Sequence, residues 1–521
     1  MKLSFRPILS SLPELFQHYA GASDAHVFPF PHGRRPSTGA CRAEHRGRGR
    51  PGRPASADAS AFQLKENSAK GLGRAFAGSA TAGGDASVVV NNPAAMSELK
   101  GTYLQADVTA INFSAKFNGS AHDVLGRPIS GGNGGDGGTT LPVPALFFAT
   151  QVSDRVHVGA GFSVPFGFQT EYDKDWVGRY HGIKSKFQSL DATLSASFDV
   201  TDNFSLGASF IAQKTSAELT SAINFNAVGL GIQKGIGDKT AAGVAEIQAA
   251  MAAGQLSGTQ GTAMIQSTVQ QGQAAAAGVA AVTPPGSDGY ARVKGDDWGY
   301  GWQLGGYWKL TPNDKLALNY RSKISHVLTG TGNFTTTPGY DLLLANPTLA
   351  SSIPPFSHTT GSADFTTPAV ASASYWHQAE KFGFGADVSW TKWDVFKNLT
   401  VNYGNAQPST SEKYNWRNTI YASIGGDYYL NDKLTLRGGI AVDSSPTYVG
   451  TRGARVPDST RKMASVGLGY RANERLELNV SYAHIFVNNA HVDNVSSTGD
   501  RLTGNFDDYG NLLSFSAMYK F

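Results

Sequence analysis

The sequence predicts an all-β fold: a fourteen-stranded antiparallel transmembrane β-barrel with an N-terminal lumenal hatch, or plug, and a helical extracellular loop. Three observations lead to this prediction. Apolar and polar residues alternate along many long segments, aromatic residues crowd the ends of those segments, and short polar connections alternate with long ones. The alternation indicates strands, and the other two observations indicate which solvent surrounds them.

The alternation is clearest in two neighbouring segments. In LDATLSASFDV, Leu194 and Phe198 share one face, and Asp191 and Ser195 share the other. Segments of this length suit a tilted membrane crossing, and in a bilayer only a closed barrel satisfies every strand edge. In RVHVGAGFSVPFGF, the predicted apolar face carries Val156, Val158, Ala160, Phe162, Val164 and Phe166.

Aromatic residues lie near the predicted strand ends, as in the interfacial girdles of transmembrane barrels. The chain also ends in a strand that closes on Phe521, with Tyr519 two residues earlier, an ending common in bacterial outer-membrane barrels. The residues assigned to the girdles are Trp298, Tyr300, Trp302, Tyr307, Trp308, Tyr375, Trp376, Tyr428 and Tyr429.

The connections between the alternating segments predict the number of strands. Six of them are short and rich in turn residues, and longer irregular connections separate them. With both ends of the barrel on the periplasmic side, six short turns and seven long outer loops give fourteen strands. The short connections are VSDR (152–155), TDN (201–203), TPND (311–314), HQAEK (377–381), LND (430–432) and RANE (471–474).

Composition and motifs exclude several other classes of protein. No run of about 18 apolar residues is present, which excludes a helical membrane protein, and a net charge of +4 over 521 residues makes no case for nucleic acid. The histidines lack metal-ligand spacing, and no glycine-rich stretch has the residues of a phosphate loop. We therefore expect no enzyme activity, no cofactor and no metal.

Residues 1–59 differ from the rest of the chain. They are rich in Arg, Pro, Gly and His without apolar periodicity, which predicts disorder. An Ala-Asp-Ala cleavage signal precedes Ser60, but the apolar stretch that belongs before such a site is missing. The region is either an unusual export leader or a mis-assigned N-terminus, and the second is favoured because everything after Ser60 has the features of an exported protein. The single cysteine, Cys41, lies in this region.

Residues 60–98 precede the barrel, which we assign to 99–521. They include DASVVVNNPAAM (85–96), in which three valines suit a strand and the following Asn-Asn-Pro breaks it. The segment is rich in small residues and does not alternate. It therefore forms a separate, compact element ahead of the first strand.

The longest connection, at about 225–288, is rich in Ala and Gln. Val244, Ile247 and Met251 stand at helical spacing, which predicts one or two amphipathic helices projecting from the outer face. Two interpretations remain open. The helices pack on the rim of their own barrel, or they form a lid or groove that offers apolar surface to a hydrophobic ligand.

The segment 60–98 resembles the N-terminal hatch of the outer-membrane channels for long-chain fatty acids and aromatic hydrocarbons (FadL/TodX-like family). The matching hatch residues are Gly71, Gly73 and Arg74 within GLGRA, and the triplet Asn92, Pro93 and Ala94. The resemblance covers essentially residues 60–521. Further matches are VPFG (164–167), WVGRYHGIKS (176–185), WGYGWQLG (298–305), LNYRSKI (318–324) and AVDSSP (441–446).

The resemblance implies passive uptake of a long-chain fatty acid or a similar hydrophobic small molecule through the bacterial outer membrane. The hatch folds into the barrel lumen and moves, and the ligand leaves sideways through the wall into the membrane lipids. Pro165 and Gly167, in the predicted strand at 155–172, match a kink that opens this lateral exit. The resemblance also implies a basic pair in the inner pocket, which suits a carboxylate that is costly to desolvate unpaired.

Three residues are candidates for this basic pair. Lys413 and Arg417 are the nearest matches for one member. The other member aligns near Ser216, which is not basic, and Lys214 is the substitute. This departure leaves room for an uncharged ligand, so an aromatic hydrocarbon channel is the alternative function. An outer-membrane porin and a phospholipase are further alternatives, and we expect a monomer.

Overall fold

The structure, a computed structural model, describes residues 61–81, 84–351 and 353–521. The predicted leader, 1–59, lies outside the described residues, as does Ser60 at the start of the predicted hatch.

Fourteen antiparallel strands form a closed barrel, which confirms the predicted barrel and its strand number. The last strand pairs with the first from Tyr103↔Lys520 to His122↔Arg501, so the sheet closes on itself. Nineteen hydrogen-bonded segments make up the sheet, and five of the fourteen strands are each divided into two segments. The strands are β1 Thr102–His122, β2 Thr140–Ser153, β3 Val156–Glu171, β4 Lys184–Thr201, β5 Phe204–Asn224, β6 Asp288–Lys309, β7 Asp314–Arg321 with Ile324–Thr335, β8 Thr359–Thr367 with Val370–Gln378, β9 Phe382–Thr391 with Asn398–Tyr403, β10 Thr410–Lys413 with Thr419–Tyr429, β11 Leu434–Asp443, β12 Arg461–Arg471, β13 Leu476–Val487 with Ala490–Val495, and β14 Arg501–Lys520.

The alternation determines the face on which each side chain lies. On β4, Leu194 and Phe198 are 63% and 49% exposed on the outer wall, while Asp191 and Ser195 are buried in the lumen. The six predicted short turns all lie at one end of the barrel, the short-turn end, and the long loops lie at the other. The period-2 pattern therefore predicts both the strands and their two faces.

Four aromatic residues face the lumen rather than the outer wall. Tyr307 and Trp376, assigned to the girdles, are buried there, and Tyr429 lines a cavity together with Trp376, whereas Trp298 is exposed as predicted. Phe166 is also buried, because a bulge in β3 shifts the alternation by one residue.

Residues 61–99, the N-terminal segment, lie among inward-facing residues of the wall. The segment contains α1 (Ala69–Leu72), α2 (Val88–Asn91) and a 3₁₀ helix, Pro93–Glu98. The Ser195 hydroxyl of β4 donates to the Val89 carbonyl at 2.7 Å, and the Ser481 hydroxyl of β13 donates to the Ala69 carbonyl at 2.7 Å. The three valines thus enter a short helix rather than a strand.

Inward-facing glycines of the wall make room for this segment. A Cβ atom on Gly207 of β5 would overlap the backbone of Ala94, and one on Gly439 of β11 would overlap the backbone of Arg74. Any larger residue at either position therefore competes with the N-terminal segment for the same space.

The long connection between β5 and β6 forms two helices, α3 (Phe225–Ala252) and α4 (Gly258–Val282), as predicted. Their base packs on the loop between β7 and β8, where Ile232 and Val279 contact Tyr340 in one buried cluster. The helices therefore pack on the loops of their own barrel, in agreement with the first of the two interpretations. Among the described residues, no helix has the length and hydropathy needed to span a membrane.

Candidate functional site

An aromatic pocket inside the barrel encloses Phe62, which is 4% exposed. The pocket draws on several strands, so its members are far apart in the sequence. The ring centroids nearest to that of Phe62 belong to Phe187 and Trp393 at 4.8 Å, Phe168 at 5.3 Å, Trp416 at 5.4 Å, Phe365 at 6.3 Å and Phe166 at 6.4 Å. We call these six residues the aromatic pocket. A flat or extended apolar group could occupy the same space as the Phe62 ring.

Ionic groups hold the backbone on one side of Phe62. The Ala61 amide donates to the Asp458 carboxylate at 3.2 Å, and the Arg461 guanidinium donates to the Ala61 carbonyl. Arg461 also pairs with Asp458 at 2.8 Å. The residue that fills the aromatic pocket is thus tied to the wall through its neighbour.

A second cation, Lys65, lies three residues further along the N-terminal segment. Its ammonium donates to the Ser389 hydroxyl at 3.0 Å and lies 4.4 Å from the centroid of the Tyr421 ring. Lys65, Arg461 and Tyr421 line a common cavity of about 40 Å³. The same cavity is lined by the carboxylates of Glu66 and Asp443. Two cations and two carboxylates therefore border the space beside the aromatic pocket.

The wall is interrupted where the aromatic pocket meets β3. The ladder between β2 and β3 runs from Ser153↔Val156 to Leu146↔Phe162 and ends there, whereas β3 pairs with β4 as far as Glu171↔Lys184. On the long-loop side of the interruption, the Glu171 amide donates to the Gly137 carbonyl at 2.8 Å. We call the interval from 163 to 170 the β2–β3 gap.

The N-terminal segment supplies hydrogen-bond partners at this gap. The Leu64 amide donates to the Pro165 carbonyl at 2.8 Å, and the Gly167 amide donates to the Phe62 carbonyl at 2.9 Å. Val164 and Pro165 lie between the pairs Ser163↔Asp191 and Phe166↔Ser189, where β4 has one residue. The predicted kink residues therefore lie at a bulge beside the gap.

Two prolines of β2, Pro142 and Pro144, border the same gap. They pair with Ala110 and Val108 of β1. Because proline has no N–H, it is tolerated in a ladder where its nitrogen points away from the partner strand. The nitrogens of Pro142 and Pro144 therefore face the β3 side, where they offer no donor.

The three predicted ligand-binding cations do not line the aromatic pocket, and their role in ligand binding stays a prediction. Lys214 lies on the outer face of β5, because its position has the same parity as the exposed Phe210, and it pairs with Asp296. Lys413 is exposed at the end of a short strand segment, and its neighbour Glu412 pairs with Arg455 at 2.9 Å.

Arg417, the third candidate, lies in the connection between the two segments of β10. Its Nε donates to the Ser445 carbonyl at 3.0 Å, and its guanidinium lies 5.1 Å from the centroid of the Tyr448 ring. The cations that border the pocket are Lys65 and Arg461. The parity of Arg461 with the inward-facing Met463 was a signal in the sequence, whereas Lys65 lies outside any alternating pattern.

The predicted hatch residues lie at contacts between the N-terminal segment and the wall. Asn92 caps the 3₁₀ helix by accepting from the Ala94 amide at 3.1 Å and donates to the Gly306 carbonyl at 3.2 Å. Pro93 is the first residue of that helix. The helix continues to Glu98, so the Asn-Pro pair begins a turn of helix rather than ending the segment.

The glycines of the GLGRA motif lie in and after α1. The Gly71 amide donates to the Ser68 hydroxyl at 2.9 Å. A Cβ atom on Gly73 would lie 2.7 Å from the Ser481 hydroxyl and 3.1 Å from Gly467 of the wall. Arg74 is buried and pairs with Asp427 at 3.4 Å. These residues therefore dock the segment closely against β10 to β13.

Comparisons with known proteins agree with this geometry. Residues 54–521 match the family model described as "Outer membrane protein transport protein (OMPP1/FadL/TodX)". The long-chain fatty acid transport protein of Escherichia coli K12 is 26% identical over 432 residues, which cover 81% of this chain and 87% of that protein. The crystal structure of a Pseudomonas aeruginosa FadL homologue is 28% identical, with a TM-score of 0.75, and covers 89% of this chain and 100% of its own.

A more distant structure has the same fold. The Pseudomonas putida toluene transporter TodX is 18% identical, with a TM-score of 0.56, over 88% of this chain and 99% of its own.

Proposed function

Because the chain belongs to the OMPP1/FadL/TodX family of outer membrane transport proteins, we propose that it takes up long-chain fatty acids passively. The observation that carries this proposal is the position of Phe62, which fills an aromatic pocket beside an interruption in the wall. Phe62 occupies the position that the ligand takes, and the ligand displaces it. The N-terminal segment is then a hatch, and the β2–β3 gap is a lateral exit.

The head group of the ligand has two cations available. Lys65 and Arg461 border the space beside the aromatic pocket together with two carboxylates. A fatty-acid carboxylate would compete with these for the guanidinium and the ammonium while its chain lies among the rings. A carboxylate in so enclosed a space would be costly without such partners.

The path follows from the order of these elements. The ligand arrives through the long-loop end, enters the aromatic pocket and displaces Phe62. Because the backbone of Phe62 and Leu64 pairs with β3, its departure removes two hydrogen bonds that cover the β2–β3 gap. The ligand then leaves sideways into the outer-membrane lipids. The closed wall needs no second chain to satisfy its edges, so a monomer performs the whole path.

Aromatic hydrocarbon uptake is the second candidate, favoured by the aromatic character of the pocket itself. Binding of oleate and of toluene to detergent-solubilised protein separates the two. For a fatty acid channel, Lys65→Gln weakens oleate binding about tenfold and leaves toluene binding unchanged. Lys413→Gln, which removes an exposed lysine outside the pocket, is the matched control.

The lateral exit is tested by closing the β2–β3 gap. Pro165→Thr with Gly167→Val straightens β3, and Pro142→Val with Pro144→Val restores the donors of β2. The combined variant is expected to slow oleate uptake by cells while oleate binding in detergent persists. Ala160→Val adds volume on the paired part of β3 and is the control. Parental uptake in a variant whose gap is closed would place the exit at the periplasmic end instead.

A further inference from the structure

A second, strongly charged cavity lies at the short-turn end of the barrel. Its volume is about 340 Å³, and it lies between the N-terminal segment and the ends of β10 to β14. Seven arginine or lysine side chains and four carboxylates line it, an excess of three positive charges. It shares no lining residue with the cavity beside Phe62. The two cavities are therefore separate.

The inner end of this cavity is a buried ionic network between the N-terminal segment and the wall. Lys70 pairs with Glu477 at 3.0 Å and Arg74 with Asp427 at 3.4 Å. Arg437 of β11 pairs with Asp427 at 3.5 Å and with Glu477 at 3.6 Å. Three cations thus share two carboxylates, and the buried carboxylate of Asp85 also acts on Arg437, in a place where charge is costly to bury.

Arg74 retains an unused hydrogen-bond donor in this network. Its side chain is 2% exposed, its face stacks on Trp376 at 4.8 Å, and its Nε has no hydrogen-bond partner among the described residues. A buried donor without a partner costs about 1–3 kcal/mol. Asp427 Oδ1 in the same network also has no hydrogen-bond partner among the described residues, and an oxyanion that reaches Arg74 Nε would satisfy the donor.

The outer part of the cavity faces the aqueous compartment rather than the lipid. Arg471 and Arg475 are exposed beside the turn between β12 and β13, and Lys433 is exposed in the turn between β10 and β11. Lys520 lies 5.5 Å from the centroid of the Tyr103 ring, a residue that also packs against the N-terminal segment. An occupant therefore enters from water at the short-turn end.

We infer that this cavity binds a small, doubly charged phosphate-bearing anion from that compartment. A phosphate matches the fork of N–H donors that arginines present, and two negative charges fit an excess of three positive charges better than one does. Arg74 belongs to the N-terminal segment and Arg437 to the wall, so the bound anion contacts both. Its binding holds the segment against the wall.

The test uses the full chain in detergent and inorganic phosphate, whose phosphorus NMR line broadens on binding. Arg471→Gln with Arg475→Gln removes two exposed cations and leaves the buried network intact. Phosphate binding is expected to weaken at least about tenfold in this variant and to stay at the parental value in Lys381→Gln. Lys381 is exposed in the turn between β8 and β9 and does not line the cavity.

Phosphate is also expected to slow hydrogen exchange at residues 69–77 in the parent and to lose this effect in the double variant. Absence of line broadening with the parent, or equal affinity in the double variant, would overturn the inference. Displacement of phosphate by micellar phosphatidylglycerol but not by soluble glycerol phosphate would assign the site to a lipid head group and overturn its assignment to a free anion.

Discussion

Replacing Phe62 with alanine is expected to tighten the binding of a fatty acid, although it removes a buried aromatic side chain. Phe62 is 4% exposed and has six aromatic rings around it. Truncating such a side chain to alanine costs about 3–5 kcal/mol in a packed interior. In the proposed mechanism, this energy holds the side chain in the pocket against the ligand.

The gain in affinity follows from the same energy. A ligand that must displace an internal occupant binds with an affinity reduced by the fraction of vacant pockets. If 3 kcal/mol of that energy is lost in the alanine variant, the apparent dissociation constant falls by about a hundredfold. The N-terminal segment of the alanine variant still pairs with β3 through its backbone, which keeps part of the cost of displacement. We therefore expect the apparent dissociation constant to fall by about tenfold to a hundredfold.

The assay is quenching or enhancement of tryptophan fluorescence on titration with oleate. Trp393 and Trp416 have ring centroids 4.8 and 5.4 Å from that of Phe62 and report occupancy of the pocket. Phe506→Ala is the matched control, because Phe506 is 1% exposed and packs against Phe117 elsewhere in the lumen. Oleate binding that is unchanged or weaker in Phe62→Ala would refute the displacement reasoning.

Three further predictions concern the N-terminal segment and the loops. Gly439→Val displaces the N-terminal segment and increases sugar permeation in liposome swelling, whereas Gly438→Val, whose Cβ would have one neighbouring atom at 4.0 Å, does not. Burial lowers the pKa of His181 in the loop after β3 to about 4. Stability of that loop, followed by hydrogen exchange, therefore falls by up to about 3 kcal/mol from pH 6.5 to 4, because only the opened loop takes up a proton, and His181→Gln removes this dependence. Glu98→Gln breaks ion pairs of 2.6 and 3.0 Å with two wall lysines. The free energy that keeps the N-terminal segment docked is expected to fall by about 1–2 kcal/mol, so protease cleaves the segment faster.

The strand number and the faces of the strands were predictable from the sequence because they depend on local alternation. Phe166 was not, because the bulge that turns it inward depends on its pairing with β4 and on the N-terminal segment. The prolines of β2 are visible in the sequence, but they indicate a gap only once their position beside the kink of β3 is known.

The candidate site was less predictable, because its members come from distant parts of the chain. Phe62 meets its aromatic neighbours across more than a hundred residues of sequence, and no periodicity relates them. The outer position of Lys214 was predictable from the sequence, since Lys214 has the same parity as the apolar Phe210. Lys413 lies in a segment of four residues, too short for alternation to indicate a face.

The energetics of displacement favour an acyl chain over a single aromatic ring as the ligand. Moving Phe62 out costs about 3–5 kcal/mol of burial, and losing two backbone hydrogen bonds to β3 costs about 0.5–1.5 kcal/mol each. Burying a toluene ring restores about the free energy that is lost when the Phe62 ring leaves the pocket. The cost of the two broken hydrogen bonds is then not offset. A long acyl chain gains about 0.8 kcal/mol per buried methylene, so about eight methylenes offset the whole cost. The Phe62 ring fills the pocket and the Phe62 backbone covers the gap, so in the proposed mechanism a ligand long enough to displace Phe62 also uncovers its own exit.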